Sequence, residues 1–300
     1  MQNTQDCTER SYRGYPCHVR TGLLILLFLL IASGPAHPKS APTSFTALKA
    51  SLIRDGFDAA YLDSLYADPA KVFDTKSVSL FFVHSEAKLN YDQFISNKNI
   101  TRAREYMETH GKALAAAQQR YQVDKEVITA IILVETKLGT YLGRSYIFRT
   151  LSTMAALADP QTKALLWDTI PAQRRLSKQA YDQKAEKKSR WAYQELKALL
   201  HYGEQEQLDV TAIRGSYAGA MGISQFMPSN ALKLGQDGNH DGRVDLFNHS
   251  DAIMSVARYL KHHGWHQGIS SEEAYKVILR YNYSRYYAKT IQKIARKLKG

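Results

Sequence analysis

Asp124 to Gly139, DKEVITAIILVETKLG, is the most apolar stretch of the chain beyond residue 44. Val127, Ile131, Val134 and Leu138 recur every three or four residues, the spacing of one helical face. Asp124 stands where an N-cap belongs and Gly139 where a helix stops. The spacing therefore predicts a buried helix over this stretch. Upstream, Phe45, Leu48 and Leu52 predict a short helix ending near Gly56, and Tyr61, Leu62 and Leu65 a second one stopped by Asp68-Pro69. A longer helix is expected from Ile100 to Tyr121, with Thr101 as its cap, and another after Asp251 carrying Ile253, Val256, Ala257 and Leu260. Ala274 to Leu298 reads as a last helix pair with a basic end. Alternating β patterns are scarce, so the fold class is mainly α.

Composition bounds the rest. In 300 residues, 44% hydrophobic and 23% charged content with 8 Pro suffice for a substantial core, which argues against wholesale disorder. Forty Lys and Arg against 28 Asp and Glu give +12, a surface that favours a polyanion: nucleic acid, an anionic membrane face or an acidic wall polymer. The N-terminus narrows that choice. Arg10, Arg13 and Arg20 precede the apolar run Leu23 to Ile31, followed by Ala32, Ser33, Gly34 and Pro35-Ala36, the order of a secretory signal. As a helix, residues 21–34 would rise roughly 21 Å, short of the roughly 30 Å hydrocarbon core. Residues 1–36 are thus expected to be a signal peptide or an N-terminal anchor, 37–44 (HPKSAPTS) a linker, and 45–300 the folded domain. Export to the periplasm, with anchoring in the inner membrane as the variant, conflicts with the nucleic-acid partner that charge alone would allow, so none is expected. Both cysteines, Cys7 and Cys17, precede the apolar run, so a cleaved chain carries no thiol and no disulfide.

Four constellations can carry chemistry. Glu135 has Ile131, Ile132, Leu138 and Gly139 as its helical neighbours, and a carboxylic acid desolvated near a helix C-terminus is suited to protonating a leaving oxygen. The alternative is pairing with Lys137 or Arg144, or plain exposure. Gly215 to Asn230, GSYAGAMGISQFMPSN, sets Ser216 and Gln225 in a small-residue run suited to a neutral polar ligand such as a sugar; taken alone, the run reads more readily as a tight helix packing that needs small residues. Asp237 to Asn248, DGNHDGRVDLFN, matches a calcium loop at Asp237, Asn239, Asp241, Gly242 and Asp245, but Asn248 replaces the bidentate Glu, and Asp251 just beyond can assist. An Asx-rich turn without metal is the other reading. Arg280 to Tyr287, RYNYSRYY, crowds aromatics beside Asn282, for stacking on sugars or for packing. His262, His263 and His266 lack a carboxylate at ligand spacing and read as surface or core residues.

Taken jointly, VETKLG (134–139), GSYAGAMGISQFMPS (215–229), DGNHDGRVDL (237–246) and RYNYS (280–284) resemble the membrane-bound lytic murein transglycosylase B family of bacterial cell-wall enzymes. The resemblance implies a lysozyme-like α+β fold with an EF-hand-like calcium loop. It implies cleavage of the β-1,4 bond between N-acetylmuramic acid and N-acetylglucosamine of peptidoglycan, closing a 1,6-anhydro ring without water. It makes Glu135 the single catalytic carboxylate; Ser216, Gln225, Tyr281, Asn282 and Tyr287 substrate contacts, with Tyr91 the nearest candidate for a further cleft tyrosine; and Asp237, Asn239, Asp241 and Asp245 ligands of a structural Ca2+. Implied partners are glycan strands, with membrane association through the N-terminus and other cell-wall enzymes beside them. Two departures stand out: Leu138 sits where members often carry an aromatic, and 150–214 matches poorly. The rival readings are a muramidase hydrolysing the same bond, which needs a second carboxylate, and a non-catalytic calcium-stabilised wall-binding protein.

Overall fold

A computed structural model describes residues 45–83 and 90–300. The expected leader (1–36) and linker (37–44) lie outside them. Among the described residues, no helix is long and apolar enough to cross a membrane.

The helix over the most apolar stretch, α7 (Lys125–Thr136), lies in the middle of the fold. Ile128, Ala130, Ile131, Ile132 and Leu133 are all fully buried, so apolar residues surround its axis on every side, as a core helix requires. Its neighbours are α5 (Asn97–Thr109), α6 (Gly111–Tyr121), α12 (His249–His262) and α14 (Arg285–Lys299). A second group is organised by the long α10 (Lys178–Glu206), which packs on α8 (Ile147–Ala155) and α11 (Pro228–Leu234). The short α1 (Thr46–Arg54), α2 (Ala59–Leu65), α3 (Pro69–Val72) and α4 (Thr75–Val83) precede these, α9 (Pro160–Thr169) joins α8 to α10, and α13 (Ser271–Tyr281) precedes α14. The β component is small: β1 (Ser145–Tyr146) pairs antiparallel with β2 (Arg214–Gly215), Ser145 opposite Gly215 and Tyr146 opposite Arg214.

Several sequence expectations need correction. The helix expected over 100–121 is two helices broken at His110, where Gly111 weakens propagation and the His110 ring turns onto His249 at 4.4 Å. Thr101 lies inside α5 and caps nothing. Asp124 occupies the N-cap position of α7, but its Oδ2 accepts from Lys299 Nζ (2.8 Å); the Lys125 amide donates to Gln118 Oε1 (3.0 Å) instead. α7 stops at Thr136, three residues before Gly139, because Lys137, Leu138 and Gly139 are all left-handed, with φ of 52°, 66° and 81°. α12 begins before Asp251, capped by Asn248, and α13 begins at Ser271 with a Ser270–Glu273 capping box. The small-residue run from Gly215 is not a tightly packed helix but a succession of turns, tied by bridges of Met221 to Gly215 and to Phe226.

Candidate active site

Glu135 leaves α7 one residue before its end and is half-buried. The Tyr287 hydroxyl donates to its Oε1 at 2.7 Å. Tyr287 itself is 1% exposed and is held in the first turn of α14, where its amide donates to the cap Ser284 Oγ. Tyr281, the last residue of α13, lies parallel to Tyr287 with ring centres 6.5 Å apart and planes 9° apart. Tyr91 meets Tyr287 edge-on at 6.5 Å and 86°. Three tyrosines from separate elements therefore frame one carboxylate. Burial pushes the Tyr281 and Tyr287 hydroxyls well up, and the Glu135 charge adds to both, so they stay protonated donors at any working pH.

The carboxylate is fixed from below by its neighbour. Thr136, fully buried, donates its hydroxyl to Ile223 O (3.0 Å) and accepts the Gly139 amide (3.0 Å), which stitches the left-handed turn after α7 to the run at 221–226. The sequence reading passed over Thr136. Its only signal was a β-branched hydroxyl at the end of an apolar helix.

Ser216 and Gln225 are reached through this run. Tyr281 Oη donates to Ser224 O (2.6 Å), which ties the tyrosine pair to the residue before Gln225. Gln225, at φ 49°, donates Nε2 to Gly222 O (2.9 Å) and Leu142 O (3.3 Å), so its Oε1 is the group left to accept from a ligand. Ser216 Oγ accepts the amides of Ala218 (3.2 Å) and Ala220 (3.1 Å), so its proton is left to donate. The close approach depends on Gly143 and Gly215: a Cβ on Gly143 would lie 2.0 Å from Gly215 O. Asn282 follows Tyr281 in extended conformation, its carbonyl accepting the Ser284 amide. The motif around it divides: Tyr281 and Tyr287 point inward, whereas Tyr283 and Tyr286 are 92% and 66% exposed. Of the histidines, His263 packs on the Tyr259 ring.

The loop Asp237–Asn248 stands apart from Glu135 but supports it. Gly242 turns the loop at φ 87°, and Asp237 accepts the amides of His240, Asp241 and Gly242. Desolvation opposes, but those three donors prevail and hold the Asp237 carboxyl below its usual range. Asn248 Oδ1 accepts the Ser250 amide and caps α12. Buried Asp251 accepts the amides of Gly238, Asn239 and Asp245. Among the described residues no three His, Cys, Asp or Glu side chains converge as a metal cluster. The turn and the donors at 237, 239, 241 and 245 nonetheless fit a hard oxygen-seeking cation in form. From this loop Leu246 O accepts the Ile223 amide (2.8 Å), so the brace runs from the loop through Ile223 to Thr136.

With this geometry in place, comparison with known proteins is informative. Residues 40–274 match the Transglycosylase SLT domain. The chain belongs to that family. It is 34% identical over 176 residues to the membrane-bound lytic murein transglycosylase B of Escherichia coli, covering 59% of this chain and 41% of the relative; it thus spans less than half of that protein's length. The solved structure of E. coli lytic transglycosylase Slt35 in complex with calcium superposes with a TM-score of 0.67 at 22% identity, over 87% of this chain and 93% of the other. That of SltB3 from Pseudomonas aeruginosa in complex with NAG-anhNAM-pentapeptide gives 0.66 at 19% identity, over 85% and 78%. The fold is therefore the mainly helical, lysozyme-like fold of these lytic transglycosylases.

Proposed function

We propose that this protein is a lytic murein transglycosylase in which Glu135 is the single acid/base. The observation that carries the reading is one half-buried carboxylate at a helix end, hydrogen-bonded by Tyr287 and framed by Tyr281 and Tyr91. A two-carboxylate hydrolase draws its nucleophile from water or from a second acid; in a transglycosylase the substrate supplies the nucleophile.

In this mechanism Tyr287 occupies Oε1, so the acidic proton rides on Oε2 and passes to the oxygen of the β-1,4 bond between N-acetylmuramic acid and N-acetylglucosamine. The bond breaks, and the acetamido oxygen of the muramic residue steadies its electron-poor C1. Glu135, now anionic, takes the proton of the muramic C6 hydroxyl while that oxygen bonds to C1 and closes the 1,6-anhydro ring. Tyr287 donates to the carboxylate throughout and steadies its charged interval. Gln225 Oε1 and the Ser216 hydroxyl are a complementary acceptor and donor for a sugar acetamide, and Asn282 directly follows Tyr281, whose hydroxyl is tied to Ser224 O.

Calcium, where bound, braces the loop through Asp237, Asn239, Asp241 and Asp245, and supplies rigidity rather than chemistry. Export through residues 1–36 brings the enzyme to the periplasmic wall, free or held at the inner membrane, where other wall enzymes share the same strands. Mass spectrometry of products released from purified wall tests the activity. Anhydro-muramic ends are expected, and turnover in Glu135→Gln should fall by roughly two to four powers of ten with glycan binding kept. Reducing ends labelled from heavy-oxygen water would identify a hydrolase instead.

A further inference from the structure

The residues of α14, RYYAKTIQKIARKLK, divide lengthwise into two faces. Tyr287, Ile291, Ile294 and Leu298 recur every three or four residues and are buried in the core. Tyr286, Lys289, Lys293, Arg296 and Lys297 recur on the same period and are all exposed, so they form one outward stripe. The helix carries six Lys or Arg and no Asp or Glu. Of these, Lys299 pairs with Asp124 at 2.8 Å. The other five side chains make no ion pair or hydrogen bond among the described residues, so the stripe carries a net positive charge that no neighbour neutralises.

Two tyrosines stand at the head of this stripe. Tyr283, in the turn before α14, is 92% exposed, and Tyr286 in its first turn is 66% exposed. Neither ring packs on another ring among the described residues. A tyrosine with an apolar body and a polar tip gains by settling where hydrocarbon meets water, at the level of lipid headgroups.

The form of the stripe selects among anionic partners. It runs along the outer, convex side of one helix, about 17 Å from Tyr286 to Lys297 at 1.5 Å per residue, and so offers a surface rather than a groove for a strand. Its cations are not held in forks by fixed partners, which suits mobile phosphates that need no register. We infer that the outward stripe of α14, with Tyr283 and Tyr286 at its head, is a peripheral docking surface for an anionic phospholipid bilayer. The inference stands apart from the proposed reaction and from residues 1–36. Because the same helix carries Tyr287, docking would also hold the Glu135 site in a fixed attitude to the bilayer.

The test uses the full chain with vesicles of phosphatidylcholine, alone or mixed with phosphatidylglycerol. In co-sedimentation at low salt the wild type should bind the mixed vesicles at least about tenfold more tightly than phosphatidylcholine alone. Lys289→Gln/Lys293→Gln/Arg296→Gln should lose about tenfold or more on the mixed vesicles, since each cation near an anionic surface is worth about fivefold. Residues 1–36 are the same in both proteins and do not supply that difference. Lys289→Arg/Lys293→Arg keeps the charge and should bind as the wild type does. The added indole of Tyr286→Trp should shift its emission to the blue on mixed vesicles and be quenched by brominated lipid, which a soluble polyanion cannot do. Equal binding to both vesicle types, or undiminished binding by the triple Gln variant with an unchanged melting curve, would overturn the proposal. So would equal loss in the charge-keeping variant. Binding without any indole shift, together with tight binding to heparin, would overturn it in favour of an acidic polymer.

Discussion

Tyr287→Phe isolates the contact on which the mechanism turns. It removes one oxygen from a side chain that is 1% exposed and leaves the ring to stack on Tyr281 and meet Tyr91. The lost group is the 2.7 Å donor to Glu135 Oε1. A donor to a carboxylate favours the ionised form, so deleting it favours the protonated form. Hydrogen bonds to charged groups are worth about 1.5–3 kcal/mol net, and 1.36 kcal/mol corresponds to one pH unit, so the alkaline limb of the kcat/KM profile should move upward by about one to two units. Tyr287 cannot generate that limb by its own ionisation, since burial and the nearby carboxylate both keep it protonated. The second half-reaction needs the anion, which is now less well held, so plateau kcat should fall by about tenfold or more. The assay is release of anhydro products across pH, with near-ultraviolet circular dichroism to check the tyrosine cluster. An alkaline limb that stays in place or moves downward, with the fold intact, would refute the assignment of Tyr287 as the carboxylate's donor.

Gly143→Ala would set a methyl 2.0 Å from Gly215 O at φ 98°; a loss of about 2 kcal/mol or more is expected, read as a lowered denaturant midpoint with glycan binding weakened alongside. Calcium added to chelator-treated protein should raise the melting temperature by mass action and lift wall cleavage through the Leu246–Ile223–Thr136 brace; a flat titration would remove the ion from the account. Burial lowers both His110 and His249, so the unfolded chain binds more protons as pH falls below about 6.5, and the stability these residues contribute is present above that pH and lost as pH falls through their lowered folded values. Urea midpoints at about pH 7.5 and 5.5 should therefore differ, and differ less in His249→Asn.

What could be read from the sequence followed from periodicity and from composition contrast. Glu135 stands out because a lone acid interrupts an apolar helix, and the Tyr-Asn segment because aromatics crowd eight positions. The break at His110 could not be seen, because it serves a ring contact with His249, 139 residues further on, whereas Ile100 to Tyr121 keeps its local period across it. The true end of α7 was missed for the same kind of reason. Three successive left-handed residues, two of them bearing side chains, are unfavourable locally and persist because Thr136 anchors the turn to Ile223. Ser216 and Gln225 were found as polar residues among small ones, but which atom each leaves for a ligand depends on backbone partners up to 83 residues distant.

The same long-range anchoring suits the proposed use of one carboxylate as both acid and base. A group that gives a proton and then takes one must keep its position while its charge changes, and a flexible Glu at a frayed helix end would swing toward water when ionised. Here the helix end is not frayed: Thr136 is tied to Ile223, Ile223 to Leu246, and Leu246 belongs to the loop braced by Asp251. On the other side Tyr287 is fixed by Ser284, and Tyr281 by Ser224, within the same run that Thr136 grips. Glu135 and its donor are thus referred to a common frame, so ionisation changes the strength of their hydrogen bond more than its geometry. Loosening the frame at a distance, as in Thr136→Val, should therefore lower kcat more than it raises KM, although residue 136 touches no substrate.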